Sequence, residues 1–438
     1  MDRDTILALC KGIRCITHVD LDAFYCQVEQ NRLNVPASVP LAVQQWNGLI
    51  AVNYAARAAG IQRHMNVQEA LAKCPDLKLV HVATYDDSNP EPSYHTNPRP
   101  STHKVSLEPY RRASAKIFAV IARRAKNFER ASIDEAYLDW TQDVVDRILA
   151  LDPPPDSPTP KVEWDSETLG KLFDSESLPL SEESISWGDY MLYHAAQLTA
   201  DLRRDILQEL NLTCSAGIAH NKTIAKLCSS LHKPNKQTTM RTCSTLDFLA
   251  PLPISKIRSL GGKLGANVES QMGVKTCAEL RERTLADLQL EFDPAVAQWL
   301  YRICRGECDQ PVAARSKAKS MLAAKQMRPF ATGMHQIEHW VTILAGEILT
   351  RVRDDLDVHS RWPKNLVIHV QPNTGDAKTK TVSFPSRHAV GDSPDALIAK
   401  AMTVITSVGS VLPCKYLSLQ VNSFESIDTT DALAQWIR

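Results

Sequence analysis

Two short segments constrain this chain most: CITHVDLDAFY at 15–25 and ERASIDEAYLDW at 129–140. Both read as strands, and both carry acids where most strand positions are buried. Alternation fits Cys15–Leu21, with Ile16, His18 and Asp20 on one side and Thr17, Val19 and Leu21 on the other. Asp20 and Asp22 point the same way if that strand is regular. Asp134 and Glu135 are neighbours, so their side chains diverge unless the second strand ends or bulges between them. Acids in such places are costly to bury without cations, and divalent ions held by oxygen ligands would offset that cost. The other reading is four ordinary strand-end acids, and the two segments alone do not choose.

The surrounding sequence alternates strands and helices through residue 240, which predicts an α/β layer with a subdomain inserted near 25–104. Leu41–Gln45 and Leu49–Asn53 read as a hairpin turning at Asn47-Gly48, and VQEALAKC reads as a short helix ending before Pro75. Helices are expected over Leu107–Phe128, Asp189–Leu210 and HNKTIAKLCSSLHK, with LTCSAGIA as a strand between the last two. LPISKIRSLGGKLGANVESQMGV holds two short helices about a Gly-rich turn, either a phosphate-binding helix-hairpin-helix or a plain helical corner. The C-terminal part reads as strands at 318–327, 364–371, 377–384 and 415–424, with helices at 335–356 and 394–408. This βαββαβ order predicts a sheet with helices on one face and the other face open. Lys317/Lys319 and Lys378/Lys380 are expected to make that open face basic.

The formal charge of the 438 residues is zero, but it is unevenly spread. From Asp143 to Asp189 there are 12 acids and 3 bases, and Pro and Ser are frequent; 141–188 reads as an inserted, solvated loop. A second loop, Tyr85 to His103, holds Pro90, Pro92, Pro98 and Pro100. Arg315–Arg387 has 12 bases and 6 acids, an excess that either faces phosphate or is ordinary solvated surface. A hydrophobic content of 44% excludes a disordered chain, and no apolar run approaches the ~20 residues of a membrane span. The N-terminus, MDRDTILALCKGIR, lacks the features of a secretory signal. Eleven scattered cysteines indicate reduced thiols, and Cys304/Cys308 lack the second pair that structural zinc needs.

Basic residues add specificity to the acids: Tyr54, Arg57 and Arg63 in NYAARAAGIQRHM, and Lys233 in HKPN, suit a triphosphate bound beside metal-holding carboxylates. HVDLDAFYCQVEQ, PLAVQQWN, GLIAVNYAARAAGIQRHM, CPDLKLV, HKVSLEPYRRAS, ERASIDEAYLD, CSAGIAHNKTIAKLCSSLHKPNKQT and LPISKIRSLGGKLGANV, in this order, resemble the Y-family translesion DNA polymerases, most closely the eukaryotic eta type. The likeness covers about 15 to 312 and continues more weakly through KSMLAAKQMR and the Trp-bearing helix.

The resemblance implies a right hand. The palm would be 1–24 and 105–240 with the acidic insertion 141–188, the fingers 25–104, the thumb 241–312, a linker 313–317, the little finger 318–428 and a tail 429–438. It implies a template-directed polymerase using two Mg²⁺ ions, with Mn²⁺ as a substitute, held by Asp20, Asp134, Glu135 and the Leu21 carbonyl; Asp22 would not be a ligand. Tyr54, Arg57 and Lys233 would hold the triphosphate. Phe24 would lie at the nucleotide site, and Tyr25, where the eta type more often has Phe, would be the steric gate against a 2′-hydroxyl. Gln45 and Arg63 would touch the template base and incoming nucleotide, and Lys263, Lys317, Lys319, Lys378 and Lys380 the DNA.

A site admitting two template bases would accept a cyclobutane pyrimidine dimer. Primer–template DNA and a dNTP are the implied partners of a monomeric nuclear enzyme without membrane attachment. The eta type adds a zinc-binding ubiquitin module and a clamp-binding peptide; neither appears before Arg438, so the expectation is a catalytic core. The alternatives are a kappa-, iota- or Rev1-like member, or a non-catalytic DNA-binding scaffold of the same fold.

Overall fold

In the computed structural model, Ile16–Leu21 is buried along nearly its whole length, because both of its faces are covered. Thr17 Oγ1 meets Thr199 Oγ1 of helix Trp187–Leu210 at 3.0 Å on one side. His18 Nδ1 meets Ser229 Oγ at 2.9 Å, at the end of helix Lys222–Cys228, on the other. The alternation is therefore real, but it separates two helix-covered faces rather than core from water. The structure describes residues 1–86, 91–151, 171–173, 185–314 and 317–427.

The chain divides into two compact units: 1–40, 53–58 and 110–316 form the first, and 41–52, 59–109 and 317–438 the second. The first holds a six-stranded sheet in the order Phe128–Arg130, Glu135–Asp139, Ile16–Leu21, Cys214–Ala219, Gln237–Met240, Lys171–Phe173. Ile16–Leu21 pairs antiparallel with both neighbours, and the last two pairings are parallel. Ser186 and Asp189 form a capping box that starts the long helix. A helical layer follows, in which Ile254, Leu260, Val268, Leu280 and Leu300 are buried together. There the 3₁₀ turn Ile254–Lys256 and helix Lys263–Met272 flank Gly261-Gly262.

The second unit contains the sheet Gly48–Val52, Leu41–Gln45, Lys78–His81 and the two-stranded ladder Thr84–Tyr85 with Lys104–Val105. Its largest sheet is antiparallel, in the order Ser320–Ala331, Cys414–Ser426, Arg361–Pro372, Lys378–Ser383. Helices Met334–His359 and Asp395–Ser407 cover one face, where Ile337, Val341, Leu344, Ile348, Leu366, Leu417 and Leu419 close the core. The βαββαβ expectation matches this order.

Several local expectations need correction. The helix expected over 107–128 is Glu108–Arg124, and Phe128 begins a strand. ERASIDEAYLDW is two strands broken by a bend at Ser132–Asp134. The helix read into HNKTIAKLCSSLHK stops at Cys228, leaving Leu231 outside it. The insertion expected as a loop from 141 begins with helix Thr141–Leu149, whose Val144, Val145 and Ile148 are buried; most of 152–184 lies outside the described residues. Lys317 and Lys319 precede the strand that starts at Ser320, so only Lys378 and Lys380 alternate within a strand. All eleven cysteines are free thiols. Among the described residues no helix is long and apolar enough to cross a membrane.

Candidate active site

The site grows from the register of three central strands. Asp20 is paired with Glu135 on one side and with Ser215 on the other. Directly opposed residues share a face of an antiparallel pair, so the Asp20 and Glu135 carboxylates lie side by side. Asp134 joins them because the strand begins only at Glu135. In the preceding bend Ser132 Oγ accepts from the Asp134 and Glu135 amides at 3.2 and 3.0 Å and donates to Asp134 Oδ1 at 2.6 Å. The Leu21 amide donates to the Asp134 carbonyl at 3.0 Å, tying the bend to the end of the first strand. That break removes the divergence that two adjacent strand residues would otherwise show.

Asp22 leaves the group. The strand ends at Leu21, and Asp22 turns inward to 2% exposure. It accepts from Ser215 Oγ at 2.7 Å, the Asn235 amide at 2.8 Å, Thr213 Oγ1 at 3.1 Å and the Tyr54 hydroxyl at 3.5 Å. Asp22 thus lies beside Ser215, which is directly opposite Asp20, and it differs from Asp20 in the donors that engage it. With its oxygens engaged by these donors, Asp22 braces the site.

Two lysines neutralise the partly buried pair Asp20 and Glu135. Lys233 Nζ lies 2.5 Å from Asp20 Oδ1, and Lys226 Nζ lies 2.8 Å from both Glu135 oxygens. Burial pushes the Asp20 carboxyl up, Lys233 opposes that, and Glu135 and Asp134 add repulsion. Glu135 is held down to about 2 by His18 and Lys226. The imidazole, at 3.8 Å, is beyond hydrogen-bond reach, so the two ammonium contacts are the stronger physical cause. His18 is itself pushed down to about 4 by burial, and so is neutral at pH 7.

The donors are all oxygens, which suits hard divalent cations. The carboxylates repel one another, and lysine ammoniums already occupy the positions of compensating charge. The residues present therefore fit Mg²⁺ or Mn²⁺.

The aromatic expectations fall in the same unit. Phe24 is buried at the start of helix Phe24–Leu33. The adjacent Tyr25 ring stacks on Tyr110, with centroids 4.0 Å apart and planes at 13°. The exposed Arg57 guanidinium lies 4.8 Å from the centre of the Tyr54 ring. Burial, and then the charge of Asp22, push the Tyr54 hydroxyl up to about 12, so it stays a donor.

Gln45 and Arg63 belong to the second unit: Gln45 ends its strand opposite Gly48, and Arg63 is exposed. Lys263, Lys317, Lys319 and Lys380 are exposed. Lys378 instead donates to the Val408 and Ser410 carbonyls, both at 2.8 Å.

Sequence reasoning missed Lys226, His18 as its neighbour, Ser132 and Tyr110. Lys226 left a signal: with Lys222 it forms an i,i+4 basic pair on a helix whose other residues, Thr223 apart, are apolar. Tyr110 left none, since its partner is 85 residues away.

Comparison with known proteins agrees with this geometry. Residues 19–230 match the model of the impB/mucB/samB family, and residues 252–307 match the helix-hairpin-helix motif of DNA polymerase eta and Rev1. The chain belongs to the Y family. The second match also selects the helix-hairpin-helix over the plain corner for the Gly261-Gly262 turn. Among Y-family relatives, DNA polymerase eta of Arabidopsis thaliana is 34% identical over 390 residues, 85% of this chain and 55% of that protein. DNA polymerase eta of Drosophila melanogaster is 31% identical over 95% of this chain and 50% of its own length. N-acetyltransferase eso1 of Schizosaccharomyces pombe is 36% identical over 77% of this chain and 40% of that protein. The chain thus spans about half the length of the curated relatives it matches.

Proposed function

We propose that this Y-family chain is a template-directed DNA polymerase that copies past damaged bases, of the eta type. The observation that carries the reading is the meeting of Asp20, Asp134 and Glu135 at one end of two inner strands of the sheet, with Lys233, Tyr54 and Arg57 in the same unit. The six-stranded sheet is the palm, and the helical layer around Gly261-Gly262 is the thumb. The small sheet of the second unit is the fingers, and the βαββαβ sheet is the little finger.

Asp20, Asp134, Glu135 and the Leu21 carbonyl would hold the ions, which when bound supply Lewis acidity toward a primer 3′-hydroxyl and a leaving pyrophosphate. Lys233 and Arg57 offer positive charge to the triphosphate, and the Tyr54 hydroxyl offers a proton donor. Tyr25, fixed from behind by Tyr110, is the gate against a 2′-hydroxyl. Gln45 and Arg63 contact the nascent base pair, and cyclobutane pyrimidine dimers are the lesions accommodated. Lys263, Lys317, Lys319 and Lys380 contact the DNA backbone, making binding salt-dependent. Lys378 holds a helix end instead. The site of action is the nucleus.

Primer extension with Mg²⁺ tests the reading. Wild-type protein should extend a primed template, and Asp134→Ala should abolish extension; near-normal extension by that variant would remove the metal assignment. Efficient bypass of a thymine dimer, with poor bypass of a bulky guanine adduct, is the outcome expected of the eta type.

A further inference from the structure

The described residues of the Pro-rich segment after Tyr85, Asp86 and 91–103, are not used by the polymerase reading, yet they gather a cluster of their own. Thr84–Tyr85 pairs with Lys104–Val105 in the register Thr84 to Val105 and Tyr85 to Lys104. Extending that ladder by one step brings Asp86 opposite His103. Ser93 joins from a third segment: the Thr84 amide donates to its carbonyl at 2.8 Å, and the Ser93 amide donates back at 3.0 Å. His95, two residues on, reaches the same point. One ligand atom each from Asp86, His95 and His103 lies within 4.8 Å of the other two.

The rings are oriented as ligands are. His95 Nδ1 is anchored on Thr84 Oγ1 at 2.7 Å, which turns Nε2 toward Asp86 Oδ2 at 3.0 Å, with Ser93 Oγ at 3.2 Å. His103 Nδ1 lies 2.8 Å from Thr102 Oγ1 and accepts weakly from the Arg99 amide at 3.3 Å; ligation through Nε2 moves the ring proton to Nδ1, where Thr102 Oγ1 accepts it in place of the Arg99 contact. Hydroxyls that fix one nitrogen while the other faces a shared point are the outer-shell arrangement of metal-bound histidine. The rings lie 4.6 Å apart, edge to face.

We propose that Asp86, His95 and His103 form a structural site for a Zn²⁺-class ion, separate from the carboxylates of the polymerase site. Two imidazoles and one carboxylate suit a borderline-soft first-row ion better than Mg²⁺, and the partial exposure of Asp86 and His95 leaves room for a water as fourth ligand. The ion ties the two ends of the segment to its middle. The base of the segment is already gripped, because Lys325 Nζ donates to the Pro100 and His103 carbonyls at 2.6 and 2.8 Å.

The test is a Co²⁺ titration of chelator-stripped full chain with Mg²⁺ in excess, so that the hard site is saturated. One equivalent should give the d–d absorption of four- or five-coordinate Co²⁺ without thiolate charge transfer, and Zn²⁺ should displace it. His95→Gln and His103→Gln should each weaken binding at least about 100-fold, while primer extension shows that the variants are folded. Zn²⁺ should raise the Tm of the wild type and not of the double variant. Unchanged binding in the double variant, a thiolate band, or no retained ion would overturn the proposal.

Discussion

Tyr110 shows how a residue outside the reacting centre sets its geometry. Its ring is the floor under Tyr25, and its hydroxyl donates to Glu29 Oε1 at 2.7 Å, on a carboxylate that is itself buried and bonded to Arg32 at 2.7 Å. Tyr110→Phe keeps the floor and removes one donor from a buried charge. Urea unfolding should show a loss of about 1–3 kcal/mol, with sugar discrimination unchanged. Tyr25→Ala would remove the proposed gate, and single-nucleotide insertion assays should show ribonucleotide discrimination falling about tenfold or more, equivalent to ~1.4 kcal/mol. His194 carries a pH dependence. It is 5% exposed in the long helix, and burial, helped by Arg147, pushes it down to about 4. Because its folded value lies below its unfolded value near 6.5, the unfolded chain takes up the proton first as pH falls. Stability is therefore lost between about 6.5 and about 4, by up to about 3 kcal/mol. His194→Leu should flatten that slope when denaturation at pH 7 and pH 4.5 is compared.

The helix Lys222–Cys228 is the element on which the site depends. It lies so close to strand Cys214–Ala219 that a Cβ on Gly217 would come 2.0 Å from the Ala225 carbonyl oxygen and 2.5 Å from the Ser229 amide. Both obstacles are backbone, so neither can rotate away. That closeness brings Lys226 within reach of Glu135. Gly217→Ala should cost about 1–3 kcal/mol or more as the helix is lifted, and Mg²⁺-dependent extension should fall with it. An unchanged Tm would show that the helix can shift at no cost. The periodicity of this helix was legible in the sequence, but its end at Cys228 was not: the helical pattern runs on into SSLHK, past the cap at Ser229.

At the scale of the molecule, the second unit joins segments far apart in the chain. Lys104 and Glu347, 243 residues apart, form an ion pair with both side chains nearly sealed from water. Lys325 sits 4.0 Å over the Trp340 ring, and burial pushes it down to about 8. Glu347→Ala leaves a buried ammonium without its carboxylate and should cost about 3–5 kcal/mol. The double substitution of Lys104→Met with Glu347→Leu should recover most of that loss. Limited proteolysis of the single variant should cut near 104 sooner than in the wild type; equal rates would show that the pair does not hold these segments.

By itself the sequence determined which residues could be strand or helix, and which carried charge worth holding. The βαββαβ order, the pairing of Leu41–Gln45 with Gly48–Val52 and the acids of HVDLD and SIDEA were readable, because periodicity and turn chemistry act over a few residues, although the two-residue turn falls at Trp46-Asn47, one position before the Asn47-Gly48 expected. Only the tertiary structure supplied the donors that engage Asp22, broke the second strand before Glu135, and assigned Lys226 to Glu135 and Lys378 to a helix end. Those outcomes depend on sheet register and on the packing of segments tens to hundreds of residues apart, and the free energy that fixes them comes from contacts that local pattern does not contain.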